Sequence, residues 1–370
     1  GLLVRKIWII SKRKRSFITK PRKLETTKKT IKLYVVFRFR VFLIPFIFFA
    51  TRRIRKLHKK KIAFLFPGQG SQGIGMGLEF YQEFDIVRET FDMAEELVKI
   101  NLSKLCFKGP MENLTATVNL QPALTVINLS TLAILQKEGI KADVTAGHSL
   151  GEYSALCAAT VLSREDTILS VMKRGELMHR EATKQKGAMS AIIGLSIETV
   201  EDIVVKAGSD GIVSVANHNT KNQIVITGAP AAVQKASALA VSQNGSSIPL
   251  KVSGAWHSAL IQDAEKDFEI FLESIPFSTP DMPVLHNVTA DSTNDPLEIQ
   301  SLMVTQLCHP VKWFDTMGRL MEENIDIFVE VGPGSVLAGL LKKTIPEGYP
   351  HQIFRVNNMK TLEKFFTTVL

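Results

Sequence analysis

The chain has 370 residues, with 45 Lys/Arg against 36 Asp/Glu and a formal charge of +9. Apolar residues make up 45% and charged residues 22%, and the mean hydropathy is +0.10, which excludes a disordered or collagen-like chain and allows one large core with a subdomain. The charge is uneven: residues 1–61 carry 21 Lys/Arg and one acid, Glu25, whereas residues 62–370 carry 24 Lys/Arg and 35 Asp/Glu. The basic pI near 9.3 belongs to the leader, so it implies no nucleic-acid partner for the acidic body. Cys106, Cys157 and Cys308 are odd in number and far apart, so neither a disulfide framework nor a metal motif is expected.

In the basic extension, residues 1–61, Lys/Arg clusters alternate with short apolar runs. The longest run, 41–50, contains Pro45, falls short of the roughly 20 residues of a membrane span, and meets Arg40 and Arg38 when extended. No stable membrane insertion is expected. The segment is Arg-rich and acid-poor like a transit peptide, yet its only serines are Ser11 and Ser16. Two readings stay open: a transit-like leader, or a stretch outside the mature protein.

From residue 62 the pattern is regular. The apolar run 62–66 predicts a buried strand ending in the loop Pro67-Gly-Gln-Gly70. Helices are expected over 80–99 and 121–138, a strand over 142–146, and helices over 152–159 and 164–182. Alternating strands and helices imply an α/β fold with a mainly parallel sheet. Residues 188–252 then read strand, helix, strand, strand, helix, strand, with expected strands at 188–194, 213–216, 223–227 and 247–252. That is the βαββαβ order of a ferredoxin-like subdomain. The chain returns with a strand at 284–286, a helix at 296–306, a strand at 327–331 and a final helix. The expected division is a large domain of 62–185 and 255–370 with an inserted subdomain of 186–254.

Gly147-His-Ser-Leu-Gly151 matches G-x-S-x-G between a strand and a helix. A serine on a sharp strand-to-helix turn is aimed at substrate, glycines two residues either side relieve crowding, and the helix N-terminus suits a developing oxyanion. Ser149 is therefore the candidate nucleophile. It needs a base, and the eight histidines leave that choice open on local grounds. His148 adjoins the serine and would point away from it. His257 lies just after an expected strand, and His218, His286 and His309 also lie near loops.

Phe66-Pro-Gly-Gln-Gly-Ser-Gln72, Gly147-His-Ser-Leu-Gly-Glu-Tyr153 and Gly254-Ala-Trp-His-Ser258 occur in that order. Val171-Met-Lys-Arg-Gly175, Ala216-Asn-His-Asn219 and Val331-Gly-Pro-Gly334 accompany them. Together these segments resemble malonyl-CoA:acyl-carrier-protein transacylases, over residues 62–370. The resemblance implies an α/β hydrolase-like large domain with the ferredoxin-like insert. It also implies transfer of malonyl from malonyl-CoA to the phosphopantetheine thiol of holo acyl carrier protein, supplying fatty acid synthesis. Ser149 is implied as nucleophile and His257 as general base. Gln69 and Leu150 are implied as oxyanion-hole donors through their backbone N–H groups, Arg174 as the holder of the malonyl carboxylate, and Gln306 as the residue whose carbonyl orients the histidine. His148 is left as a supporting group. No cofactor or metal is implied. A monomer is expected, cytoplasmic in the bacterial manner, or in a plastid or mitochondrion if residues 1–61 are a transit peptide.

Arg174 has its own physical rationale, since a guanidinium pairs bidentately with the carboxylate that distinguishes malonyl from acetyl. Read without the family, it would be one of several bases on a solvated helix face. Trp256, before the histidine, is expected to leave little room for a methyl branch on the acyl group. An acidic carrier protein calls for a basic patch at the cleft, for which Lys251, Lys312 and Arg174 are candidates. A serine hydrolase or thioesterase is the enzyme rival, because Asp166 and Glu201 lie between Ser149 and His257 in the order that class uses.

Overall fold

The wholly apolar run Ile62-Ala-Phe-Leu-Phe66 has no polar face to offer solvent, and it forms the middle strand of a sheet covered on both sides. In the computed structural model, which describes residues 60–369, this is β1 (Ile62–Phe66). The other strands in chain order are β2 (Val144–Gly147), β3 (Ala188–Ile193), β4 (Val213–Thr220), β5 (Gln223–Gly228), β6 (Ser246–Pro249), β7 (Val284–Leu285), β8 (Ile327–Val331) and β9 (Gln352–Val356). One sheet is parallel throughout, in the order β7-β2-β1-β8-β9. The other is antiparallel, in the order β4-β5-β3-β6. The second order, with its two intervening helices, is the ferredoxin-like arrangement expected from the sequence. The basic extension lies outside the described residues apart from Lys60 and Lys61.

The longer helices are α1 (Asp85–Val98), α2 (Thr117–Lys137), α3 (Gly151–Ala158), α4 (Arg164–Lys184), α5 (Ile197–Ala207), α6 (Pro230–Ser242), α7 (Asp263–Leu272), α8 (Pro296–Thr305), α9 (Trp313–Glu322), α10 (Val336–Thr344) and α11 (Met359–Val369). Their starts follow local chemistry. Ser163, Ser196 and Asp295 cap α4, α5 and α8 through side-chain oxygens, and Pro230 and Pro296 stand in first turns, where no N–H is needed. Helix α2 is long and apolar enough to cross a membrane, yet it is buried nearly all round as the central helix of the core.

The structure departs from the sequence expectations at definite points. The helix expected over 80–99 is two, Leu78–Glu83 and α1, because Phe84 adopts an extended conformation between them and packs edge-on to Phe80. Helix α2 begins a turn before Gln121 and carries Pro122 inside it. Strand β4 runs on to Thr220 with two register shifts, since its polar end Asn217-His-Asn219 hid a bulged strand from an apolar reading. Strand β6 stops at Pro249 instead of 252, where proline removes a ladder donor. Strand β9 and helices α7 and α9 were not expected from the sequence.

The topology sets the site. Strands β1 and β2 are paired in register to their ends, Phe66 beside Gly147, so the Pro67 loop and the Ser149 turn leave the sheet side by side. Strand β7 delivers His286 and Asn287 to the same edge, and β8 delivers Gly332. The chain reverses its order across β1, and the carboxyl edge at such a reversal is where open α/β sheets form crevices. The segments leaving for and returning from the small sheet cross in tight contact: a Cβ on Gly187 would fall 2.2 Å from the amide of Ala255. That crossing brings His257 back beside Ser149.

Candidate active site

The Ser149 turn is strained and enforced. Ser149 has a φ of 49°, a left-handed conformation that a residue with a side chain seldom takes. A Cβ on Gly147 would lie 2.0 Å from the carbonyl carbon of Gly151, and one on Gly151 would lie 2.0 Å from the Phe66 oxygen. Both glycines of the motif are thus required by backbone packed against backbone. Asn287 holds the turn from the side. Its Oδ1 accepts from the Ser149 amide at 2.6 Å, and its Nδ2 donates to the Gly147 carbonyl at 2.7 Å.

Ser149 Oγ lies 2.8 Å from His257 Nε2, and His257 Nδ1 lies 2.8 Å from the backbone oxygen of Gln306. A carbonyl only accepts, so Nδ1 carries the proton and Nε2 is left to accept from the serine hydroxyl. His257 is buried, and burial first, then the positive charge of Arg174, pushes its pKa down to about 3. It is therefore the neutral, proton-accepting form over the ordinary pH range.

Arg174 is only 2% exposed. It projects from the buried face of α4 and donates from Nη2 to Ser149 Oγ at 3.1 Å and to Gln306 Oε1 at 3.2 Å, and from Nη1 to Gln121 Oε1 at 3.0 Å. Its guanidinium carbon lies 5.8 Å from the centre of the Tyr153 ring. Burial pulls its pKa down, opposed by the Tyr153 hydroxyl and the Glu152 carboxylate. Among the described residues every acceptor it meets is a neutral side chain, so an anion delivered beside Ser149 would meet a desolvated cation without a carboxylate in contact. The solvated-face reading is excluded, and a buried Arg174 cannot belong to a surface patch.

The loop Pro67-Gly-Gln-Gly70 crosses directly over this turn. A Cβ on Gly68 would fall 2.3 Å from the His148 oxygen and 3.5 Å from the Leu150 amide. Gln69 follows at once in that loop, and Leu150 is the N-cap residue of α3. Among the described residues neither amide has an acceptor, the condition a pre-organised oxyanion site needs. Asn128 secures the loop by donating to the Pro67 carbonyl at 3.0 Å, and Gly332 packs on both.

His148 turns away from Ser149. Its Nε2 lies 2.8 Å from Asn219 Oδ1 and its ring meets Trp313 edge-on, so it braces the turn against the bulged end of β4. Trp256 packs with Met178, Met189, Ala216 and Val225. Asp166 caps α4 with Ser163, and Glu201 is exposed on α5, so neither replaces the Gln306 carbonyl at His257.

Sequence reading missed Gln121, Asn287 and Glu152. Glu152 had a signal, being the one charged residue in the otherwise uncharged helix α3, which is buried on every face. Gln121 and Asn287 had none, because their partners stand 53 and 138 residues away.

A model of the acyl transferase domain matches residues 63–363. The malonyl CoA-acyl carrier protein transacylase of Bacillus subtilis strain 168 is 43% identical over 286 residues, 76% of this chain and 90% of that relative. The protein of the same name from Haemophilus influenzae is 38% identical over 309 residues, 83% of this chain and 99% of the relative. An acyl carrier protein S-malonyltransferase structure from Vibrio cholerae superposes with a TM-score of 0.78 at 35% identity, covering 82% of this chain and 99% of its own. A malonyl-transacylase solved in complex with its type II polyketide acyl-carrier protein gives 0.80 at 34%, covering 83% and 99%. Matched over nearly the full length of these relatives, the chain belongs to the malonyl-CoA:acyl-carrier-protein transacylase family of acyl transferases.

Proposed function

We propose that this chain moves malonyl from malonyl-CoA to the phosphopantetheine thiol of holo acyl carrier protein through a malonyl ester on Ser149. Ser149 Oγ attacks the thioester carbonyl while His257 Nε2 takes its proton. The Gln69 and Leu150 amides receive the oxyanion. Collapse expels the CoA thiolate, to which His257 returns the proton. The carrier thiol then attacks the malonyl ester by the same steps in reverse. A thioester becomes an ester and a thioester again, so no energy source is required.

The observation that carries this reading is Arg174 donating to the oxygen of the nucleophile itself. A malonyl carboxylate is one methylene from the carbonyl that Ser149 attacks. An arginine that touches Ser149 Oγ is therefore placed to bind that carboxylate while the carbonyl meets the serine. Acetyl offers no such partner and leaves the buried cation unpaired.

The test is Arg174→Ala with malonyl-CoA and acetyl-CoA as competing donors. Malonyl kcat/KM is expected to fall about 10- to 100-fold, the worth of a charge-assisted pair, while acetyl transfer is kept. Unchanged malonyl kinetics would overturn the assignment. We further read the protein as a monomer without a nucleic-acid partner. The exposed Lys251 and Lys312 are its basic groups for the carrier, and Lys312 supports this by donating its amide to the Asn287 carbonyl beside the site at 2.9 Å.

A further inference from the structure

Among the described residues no carboxylate touches the histidine of the Ser149–His257 pair, but one lies a residue further back. Glu152, at the second position of α3, is 1% exposed. Its Oε2 accepts from Gln306 Nε2 at 2.6 Å and from the Asn287 amide at 3.3 Å, and its Oε1 accepts from His286 Nδ1 at 2.9 Å. Each of the first two contacts leads to the nucleophile. Gln306 presents its backbone oxygen to His257 Nδ1, and its Nε2 also donates to the Ser149 carbonyl at 3.1 Å. Asn287 clamps both sides of the Ser149 turn. A buried carboxylate is costly unless its oxygens are satisfied, and here the groups satisfying them are the supports of the base and of the elbow.

We propose that Glu152 is the positioning residue of this site, taking the place of a triad carboxylate at one remove: it fixes Gln306 so that the Gln306 carbonyl holds His257 in its proton-accepting tautomer, and fixes Asn287 so that Ser149 keeps its strained conformation. It takes no proton. The serine proton goes to His257 Nε2, and the other proton stays on His257 Nδ1, donated to the Gln306 carbonyl, throughout. The orientation of Gln306 is determined because its Oε1 faces Arg174 and its Nε2 faces Glu152; without Glu152 the amide can turn over, and both ends lose their partners.

This inference rests on the transfer reading, and the experiment separates the two. Wild type, Ser149→Ala, Glu152→Ala, Glu152→Gln and Gln306→Met are compared for malonyl transfer to holo carrier protein. Thermal unfolding is measured alongside. Glu152→Gln can keep all three contacts, with its oxygen toward Gln306 and Asn287 and its amide toward His286. His286 can shift its proton to Nε2, which has no partner among the described residues. The expected order of kcat is wild type, then Glu152→Gln, then Glu152→Ala. The alanine variant should lose about 10- to 100-fold while its KM for malonyl-CoA stays within about threefold. Rescue by glutamine and the split between kcat and KM mark positioning, whereas a merely structural role would lower the unfolding temperature and leave kcat in place. A folded Glu152→Ala with wild-type kcat overturns the proposal. If that variant does not fold, Gln306→Met, which cuts the same link, decides: a wild-type kcat there overturns it equally. A wild type that transfers no malonyl, or a fully active Ser149→Ala, sinks the transfer reading instead.

Discussion

Ser149, His257 and Arg174 share one small volume, and the charge of Arg174 acts on the histidine. Arg174 keeps His257 neutral by lowering its pKa in addition to the effect of burial, so the base is ready to accept a proton at pH values well below the ordinary histidine range. The protonated form is the inactive one, so activity falls only as pH drops toward the folded-state pKa near 3. Measured as kcat/KM, which reports the free enzyme, malonyl transfer should show no acidic limb near pH 6.5; a limb there would contradict the burial of His257. A malonyl carboxylate on Arg174 offsets the charge that depresses His257, so the limb of kcat should lie at higher pH than that of kcat/KM. The same shift affects stability. Between the two pKa values the unfolded chain binds a proton that the fold refuses, so this histidine's contribution rises with pH and is complete above about pH 6.5. The serine was legible in the sequence because strand, glycines and helix are all local to it. The histidine was not, because what selects His257 over seven others is the crossing of Gly187 and Ala255 and the carbonyl of Gln306, neither of which leaves a local pattern.

Two elements position the chemistry through their ends. The elbow between β2 and α3 admits no side chain at Gly147, where a Cβ would meet the Gly151 carbonyl at 2.1 Å or closer. Gly147→Ala is expected to cost on the order of 3 kcal/mol or more, or to prevent folding, read as a fall in the denaturant midpoint. At the other side of the sheet, Glu330 on β8 caps α10, its two oxygens accepting from the Leu337 and Ala338 amides at 3.0 Å each. Ser335, at the cap position itself, makes no side-chain bond. Glu330→Ala should therefore destabilise by about 1–2 kcal/mol, with little change in kcat, since α10 lies behind the loop that supports Pro67. Apolar strands and capped helices were readable because burial on both faces and N-cap residues are written locally. The end of β4 and all of β9 were not. Asn219 meets the His148 ring and His218 packs against Phe314, so the end of β4 shows no apolar alternation, and Gln352-Ile-Phe-Arg-Val356 is an edge strand of mixed pattern.

For the whole molecule, the charge of +9 divides into a basic leader and an acidic body. Every residue assigned a part in the reaction lies in the body. A chain beginning at residue 60 is expected to transfer malonyl at the full-length rate; loss of activity on that deletion would give the leader a role in catalysis. Recognition of an acidic carrier by an acidic body should depend on few groups. Lys251→Glu with Lys312→Glu is accordingly expected to raise the KM for the carrier about tenfold while leaving the KM for malonyl-CoA unchanged. The central claim, a malonyl group passing through Ser149 to a thiol, is tested most directly by intact-protein mass spectrometry. The protein is mixed with malonyl-CoA, freed of excess donor, and then given holo acyl carrier protein. The account predicts one malonyl group on the protein, mapped to Ser149, that moves to the carrier thiol on addition. A malonyl mass at another residue, or free malonate with an unmodified carrier, would contradict it.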